Sequence, residues 1–215
     1  MSKRTVSVWT DNRFWRRSAA WVTGFSLMLL IWLTFDSISQ ITMGSAEDLK
    51  NGVTKRIPSP TVINHKITYE MSDKRGHEVP VIGEKEQFFG RDDWSEEEAN
   101  ELLRLGKLGF QAKNCINCHT ILGNGAYYAP DLTKAWLDPK WDNMGFLGYP
   151  TKEEGIAAFL QDPTTYAAHS RKMPKLGITP EEAKGLVAFL KHASSIDTNG
   201  FPRNFGKITG AVNAK

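Results

Sequence analysis

The sequence predicts a mainly α protein. A single N-terminal transmembrane helix is followed by a small β-containing insert and then by a helical globule. Three observations predict this. Residues 18–35 carry no charge, residues 61–71 are rich in β-branched side chains, and capped amphipathic helices follow residue 94. With 215 residues, 40% hydrophobic and 24% charged, the chain can build one modest core but not two large ones. Its 18 Gly and 10 Pro exclude collagen-like and fully disordered chains, and its 2 Cys exclude a disulfide framework.

The first element is the anchor. The run SAAWVTGFSLMLLIWLTF, 18 residues, gives a helix about 27 Å long, close to the ~30 Å hydrocarbon layer. Trp15, Trp21 and Trp32 stand near its ends, where indole rings favour the water–lipid boundary. A cleaved signal peptide has a shorter apolar core and a small-x-small site. Here the nearest such candidate, Met43-Gly44-Ser45-Ala46, is poor and well downstream, so an uncleaved anchor is expected. Lys3, Arg4, Arg13, Arg16 and Arg17 precede the span and Asp36 follows it, which places the N-terminus in the cytoplasm and the remainder outside, in the periplasm of a bacterium. Those five basic residues against Asp11 carry the positive excess. The chain totals +3, so residues 18–215 sum to −1 and hold no basic face for nucleic acid.

Residues 37–60, with Gly44, Gly52, Pro58 and Pro60, read as a linker with a short helix around Ala46–Lys50. TVINHKITYEM at 61–71, then Val79, Val81 and Ile82 after a polar segment, predict a small hairpin, with His65 and His77 as solvated strand and turn residues. Ser95 with Glu98 opens a helix carrying Ala99, Leu102, Leu103, Gly106 and Phe110 on one face. Thr151 with Glu154 opens a second, which stops at Asp162-Pro163. Thr179, Pro180 and Glu182 open a third, with Ala183, Leu186, Val187 and Leu190 as its stripe and Lys191 and His192 at its negative end. Gly106 allows a close crossing of the first and last of these helices, with Phe110 and Phe189 at the joint; ordinary amphipathic packing accounts for the same pattern. The loops between the helices are long, and loops beyond about 12–15 residues need something to organise them.

Both cysteines fall in Cys115-Ile116-Asn117-Cys118-His119. C-x-x-C-H is the attachment pattern of c-type haem: two thiols add to the porphyrin vinyl groups and the adjacent histidine reaches the iron. Zinc would need a fourth ligand, a thioredoxin-like pair would sit beside a βαβ pattern, and a disulfide across two residues would be strained. Haem c is therefore expected, on Cys115 and Cys118, with His119 as one axial ligand. The other ligand is sought among Met144, Met173, His169 and His192. Met173 is favoured because Pro174 extends its loop and the charged Arg171, Lys172 and Lys175 are unlike core neighbours. His169 is the competitor, Met144 reads as packing and His192 as a helix end. The resulting division is a cytoplasmic tail 1–17, an anchor 18–36, a periplasmic linker with a β element 37–94, a class I-like cytochrome c domain 95–200 and a tail 201–215.

The run CINCHTILGNGAYYAPDLT at 115–133, with Arg171-Lys172-Met173-Pro174 and Ile196-Asp197-Thr198-Asn199, resembles the cytochrome c subunit of bacterial nitric oxide reductase. The region from about 45 to 90 is longer than in compact members. The resemblance implies a single-haem electron carrier of denitrifying respiration. It would pair as a heterodimer with a polytopic subunit holding a b haem and a haem–non-haem iron centre that reduces NO to N2O. A soluble periplasmic cytochrome c or cupredoxin would supply the electrons. It also implies a calcium ion at the interface with that partner, on backbone oxygens of Gly125 and Tyr127. No catalytic acid, base or nucleophile is expected in this chain, so it is not an enzyme on its own. Tyr127, Tyr128, Trp136 and Trp141 are expected to wall the haem or meet the partner. The alternatives are an electron-entry subunit of a haem–copper oxygen reductase, and a tethered metal-binding or thiol-redox sensor.

Overall fold

The computed structural model describes residues 8–142, 148–166 and 173–205. The chain divides into two units, Met1–Thr42 and Met43–Lys215. In the first, a 3₁₀ turn at Val8–Thr10 leads into α1, Asn12–Gln40. Asp11 caps α1 by accepting the Arg13 amide at 2.8 Å. α1 buries no residue, and it is long and apolar enough to cross a membrane. The unpaired apolar surface all round it is what a lipid-facing helix presents.

The second unit begins with α2, Ala46–Lys50, boxed by Ser45 and Asp48. A 3₁₀ turn at Pro60–Asn64 precedes β1, His65–Ser72, and β2, His77–Lys85. The two strands pair antiparallel, with Thr68 opposite Val81 and Ser72 opposite His77. Then come α3, Glu96–Ala112, the short pair β3, Thr120–Ile121, and β4, Asn124–Gly125, and three further helices. These are α4, Lys152–Gln161, α5, Pro163–Tyr166, and α6, Pro180–Ala193. The expected caps explain the starts. The Ser95 hydroxyl accepts the Glu98 amide at 3.2 Å while the Glu98 carboxylate accepts the Ser95 amide at 3.0 Å, and Thr179 with Glu182 repeats this on α6. Thr151 caps α4 through its hydroxyl, and Asp162 ends it before Pro163.

The core forms where α3 crosses α6. Gly106 and Gly185 meet backbone to backbone: a Cβ on Gly106 would stand 2.0 Å from the Gly185 carbonyl oxygen. Phe110 and Phe189 close the joint with ring centroids 5.5 Å apart. The close-crossing reading of Gly106 thus holds, and Gly185 is the partner the sequence did not single out. Ala99, Leu103, Ala183, Val187, Ile156 and Ala157 fill the space around it.

Residues 43–94 do not run as a free linker. Val62, Ile63 and Phe88 have no exposed surface and join the same core as the helices. Three short helices leave that core thin, and the β-branched run at 61–63 and the aromatic pair at 88–89 complete it. Polar contacts fasten the insert as well. Tyr69 donates its hydroxyl to the Ser194 carbonyl at 2.9 Å. His77 is not a solvated turn residue: it lies in β2, and its Nε2 contacts the Asp197 carboxylate at 3.1 Å. Arg75 pairs with the same carboxylate, whose side chain is 2% exposed, and Arg56 lies 3.9 Å from it. The 120-residue separation of His77 from its partner is why no local pattern betrayed it. His65 contacts the Gly83 carbonyl at 3.1 Å through Nδ1. His192 closes α6 and donates Nε2–H to the Pro58 carbonyl at 3.2 Å, and burial holds its pKa below the usual imidazole value.

Candidate functional site

The site is assembled at the C-terminus of α3. Lys113 caps the helix and Asn114 enters the left-handed region at φ 58°, turning the chain into a 3₁₀ turn over Cys115–Asn117. The Cys115 carbonyl accepts both the Cys118 amide at 3.2 Å and the His119 amide at 2.9 Å, winding the pentapeptide into one turn. The following loop folds back on this turn. Ala126 donates to the Ile116 carbonyl at 2.9 Å and Ala129 to the Cys118 carbonyl at 2.8 Å. Gly125, at φ 118°, fits because a Cβ there would lie 2.1 Å from the His119 carbonyl oxygen. Asp131 ties the loop shut, accepting the Thr120 hydroxyl at 2.6 Å and the Thr133 amide at 2.8 Å.

His119 is aimed by this loop. Its Nδ1 lies 2.7 Å from the Pro130 carbonyl oxygen. A carbonyl can only accept, so Nδ1 carries a proton, and in the neutral ring Nε2 is the nitrogen with a lone pair to offer a metal. Cys115, His119 and Met173 all line one cleft. Its other walls are carbon-rich: Phe110 from α3, Phe159 from α4, Leu186 from α6, and Trp136 and Trp141 between them. Trp141 meets Phe159 edge-on at 5.4 Å and anchors its indole N–H on the Ala135 carbonyl at 2.9 Å. Cys118 is half-buried and is not among the residues lining the cleft.

Chemically the cleft suits a flat apolar cofactor with a metal at its centre. Two free thiols lie one turn apart, an imidazole has its Nδ1 tied to a backbone carbonyl, and a thioether lies on the same cleft. Burial pushes the Cys115 thiol pKa up, the opposite of what a reactive thiol-redox pair requires. Among the described residues no three of His, Cys, Asp and Glu converge as ion ligands. The residues present therefore fit haem c.

Of the other candidates, Trp136 and Trp141 wall the cleft, whereas Tyr127 and Tyr128 are exposed. Met144 and His169 lie outside the described residues. The sequence reading missed the Pro130 carbonyl and Asp131, which orient the histidine and shape its loop. A backbone acceptor leaves no mark in a sequence. Asp131 two residues before Thr133 is the pattern of a side chain that accepts a nearby backbone amide, and that signal could have found it.

Comparison with known proteins agrees with this geometry. The pattern of the cytochrome c family matches residues 103–194. The nitric oxide reductase C-subunit of Stutzerimonas stutzeri is 33% identical over 110 residues, covering 51% of this chain and 70% of that protein. Its counterpart in Halomonas halodenitrificans, of the same name, is 33% identical over 105 residues, covering 47% of this chain and 65% of that protein. The counterpart in Paracoccus denitrificans is 32% identical over 102 residues, covering 46% and 63%. A cytochrome c globule, an apolar N-terminal helix and this degree of identity together show that the chain belongs to the family of nitric oxide reductase C-subunits.

Proposed function

We propose that this chain is the electron-entry subunit of a nitric oxide reductase. It carries one haem c through thioether links at Cys115 and Cys118, with His119 and Met173 as axial ligands. The observation that carries the reading is the placement of Cys115, His119 and Met173 on one apolar cleft, with His119 locked into the tautomer that binds iron. When bound, the haem supplies one-electron chemistry at its iron. The chain's own residues do the remainder. His119 holds its proton on Nδ1, the Pro130 carbonyl fixes the ring, and the aromatic and aliphatic walls keep water from the cleft. Cys115 and Cys118 would hold the haem and His119 and Met173 its iron, and the group would supply electron transfer, with NO reduction left to the partner. His/Met ligation sets a higher potential than His/His would, which suits a carrier fed by other periplasmic proteins.

In this reading the anchor leaves the N-terminus in the cytoplasm and the haem domain in the periplasm. A soluble cytochrome c or cupredoxin reduces the haem, and the polytopic b-haem subunit takes the electron and reduces NO to N2O. The exposed Tyr127 side chain suits a contact with that partner, and backbone oxygens of Gly125 and Tyr127 would contribute to an interface calcium. The names of the relatives weigh against the oxygen-reductase alternative.

The test is the pyridine haemochrome spectrum of the detergent-solubilised protein matured in a periplasm. A spectrum of haem held by two thioethers, at one haem per chain, is expected, and a colourless chain would overturn the reading. Met173→Ala should keep the covalent haem and lose the sulfur-to-iron band at the red end of the spectrum. Retention of that band would remove Met173 as ligand.

A further inference from the structure

Behind one wall of the cleft lies a set of charges that electron carriage does not by itself require. Trp136 lines the cleft and is 6% exposed. The Lys191 ammonium stands 4.8 Å from its ring centroid, and the Lys152 ammonium stands at 4.8 Å as well. Lys191, on α6, has no exposed side-chain surface, and its Nζ meets Glu86 Oε1 at 2.5 Å. The Phe88 ring covers the same ammonium at 5.1 Å. The other charges that act on it come from α4. Glu153 is buried and accepts the Phe89 amide at 3.0 Å, and Lys152 is paired with Asp142 at 2.9 Å.

A buried ammonium is costly unless paired, and here both the carboxylate and one aromatic face come from the insert. The pair has a direction. Its cationic end is wholly buried against the indole that walls the cleft, while its anionic end is 35% exposed. A positive charge near the iron favours the reduced form, and a nearby carboxylate offsets it.

We propose that the Lys191–Glu86 pair sets the haem potential from behind Trp136, with Lys191 as a positioning residue and the insert as the source of its counter-charge. The inference rests on the haem reading above. It gives the long region between anchor and helices a twofold role. The insert completes the core, and it moderates a charge one aromatic ring away from the cofactor.

The experiment is a potentiometric titration of the full-length solubilised protein, followed at the haem absorption. Lys191→Met is expected to lower the midpoint potential and Glu86→Gln to raise it, each by the equivalent of roughly a three- to tenfold change in electron affinity. Glu101→Gln, which removes an exposed carboxylate paired with Arg104 on α3, leaves the potential unmoved. A wall that served only as a buttress would loosen in either variant and shift both potentials the same way. Shifts in one direction, or none, overturn the proposal. Glu86→Gln conserves shape, so its upward shift is decisive even if Lys191→Met fails to accumulate. A haemochrome of the parent separates the two levels. Absence of haem overturns the haem reading and this inference together, whereas bound haem with unmoved potentials overturns this inference alone.

Discussion

The α3–α6 crossing and the seat of the insert are both buried, yet they are held by different physics. At the crossing two glycines bring backbones into contact and apolar side chains close around them, with Ala183, Val187 and Ala99 wholly buried. At the insert, buried apolar residues are accompanied by charged and polar groups: Lys191 with Glu86, and Asp197 among Arg56, Arg75 and the His77 ring. The first contact depends on shape and leaves no room for an added methyl group. The second adds buried charge to apolar packing and so responds to salt.

This contrast can be broken at its strongest point first. Gly106→Ala puts a methyl group into the Gly185 carbonyl, where backbone must move. A loss of at least about 3 kcal/mol is expected in urea unfolding, unchanged by added salt at about 1 M. Asp197→Ala removes a carboxylate that is 2% exposed and leaves its cations to be solvated. A loss of about 3 kcal/mol is expected at low salt, shrinking at high salt because the arginines are partly exposed. A salt-independent Asp197→Ala deficit would erase the distinction. The smallest effect concerns His192, whose folded pKa is depressed by burial, with its bond to the Pro58 carbonyl opposing the shift. The unfolded chain then binds a proton more readily than the folded one. Stability is full above the ordinary value of about 6.5 and is lost as pH falls below it, toward and through the folded pKa. His192→Gln should flatten that slope in thermal melts between about pH 7 and pH 5, a range spanning the imidazole value.

Much of this architecture was legible in the sequence. Ser95, Thr151 and Thr179 announce their helices because a cap is a local bargain between a side chain and amides two or three residues on. The C-x-x-C-H turn is equally local, and the apolar run of α1 needs no partner to be read. Three features were hidden for one reason. Lys191 reads as a surface residue at a helix end until Glu86, 105 residues away, is seen against it. His77 and Asp197 are 120 apart. Gly185 is an ordinary helix residue until it faces Gly106. Long-range partners decide burial, and spacing along a chain does not report them.

The histidine's partner at position 130 is a peptide oxygen, which has a consequence for inheritance. It has no side chain to be substituted and no proton to gain in the physiological range. Replacing Pro130 would change the ring of that residue without deleting the acceptor. The aim of the imidazole is therefore insulated from direct mutation at its own anchor point, and vulnerability is displaced to the residues that shape the surrounding loop: Asp131, which accepts the Thr120 hydroxyl and the Thr133 amide, and Gly125, packed on the His119 carbonyl. Substitutions that disturb the imidazole while leaving His119 itself in place should accordingly be found at Asp131 and Gly125 sooner than at Pro130.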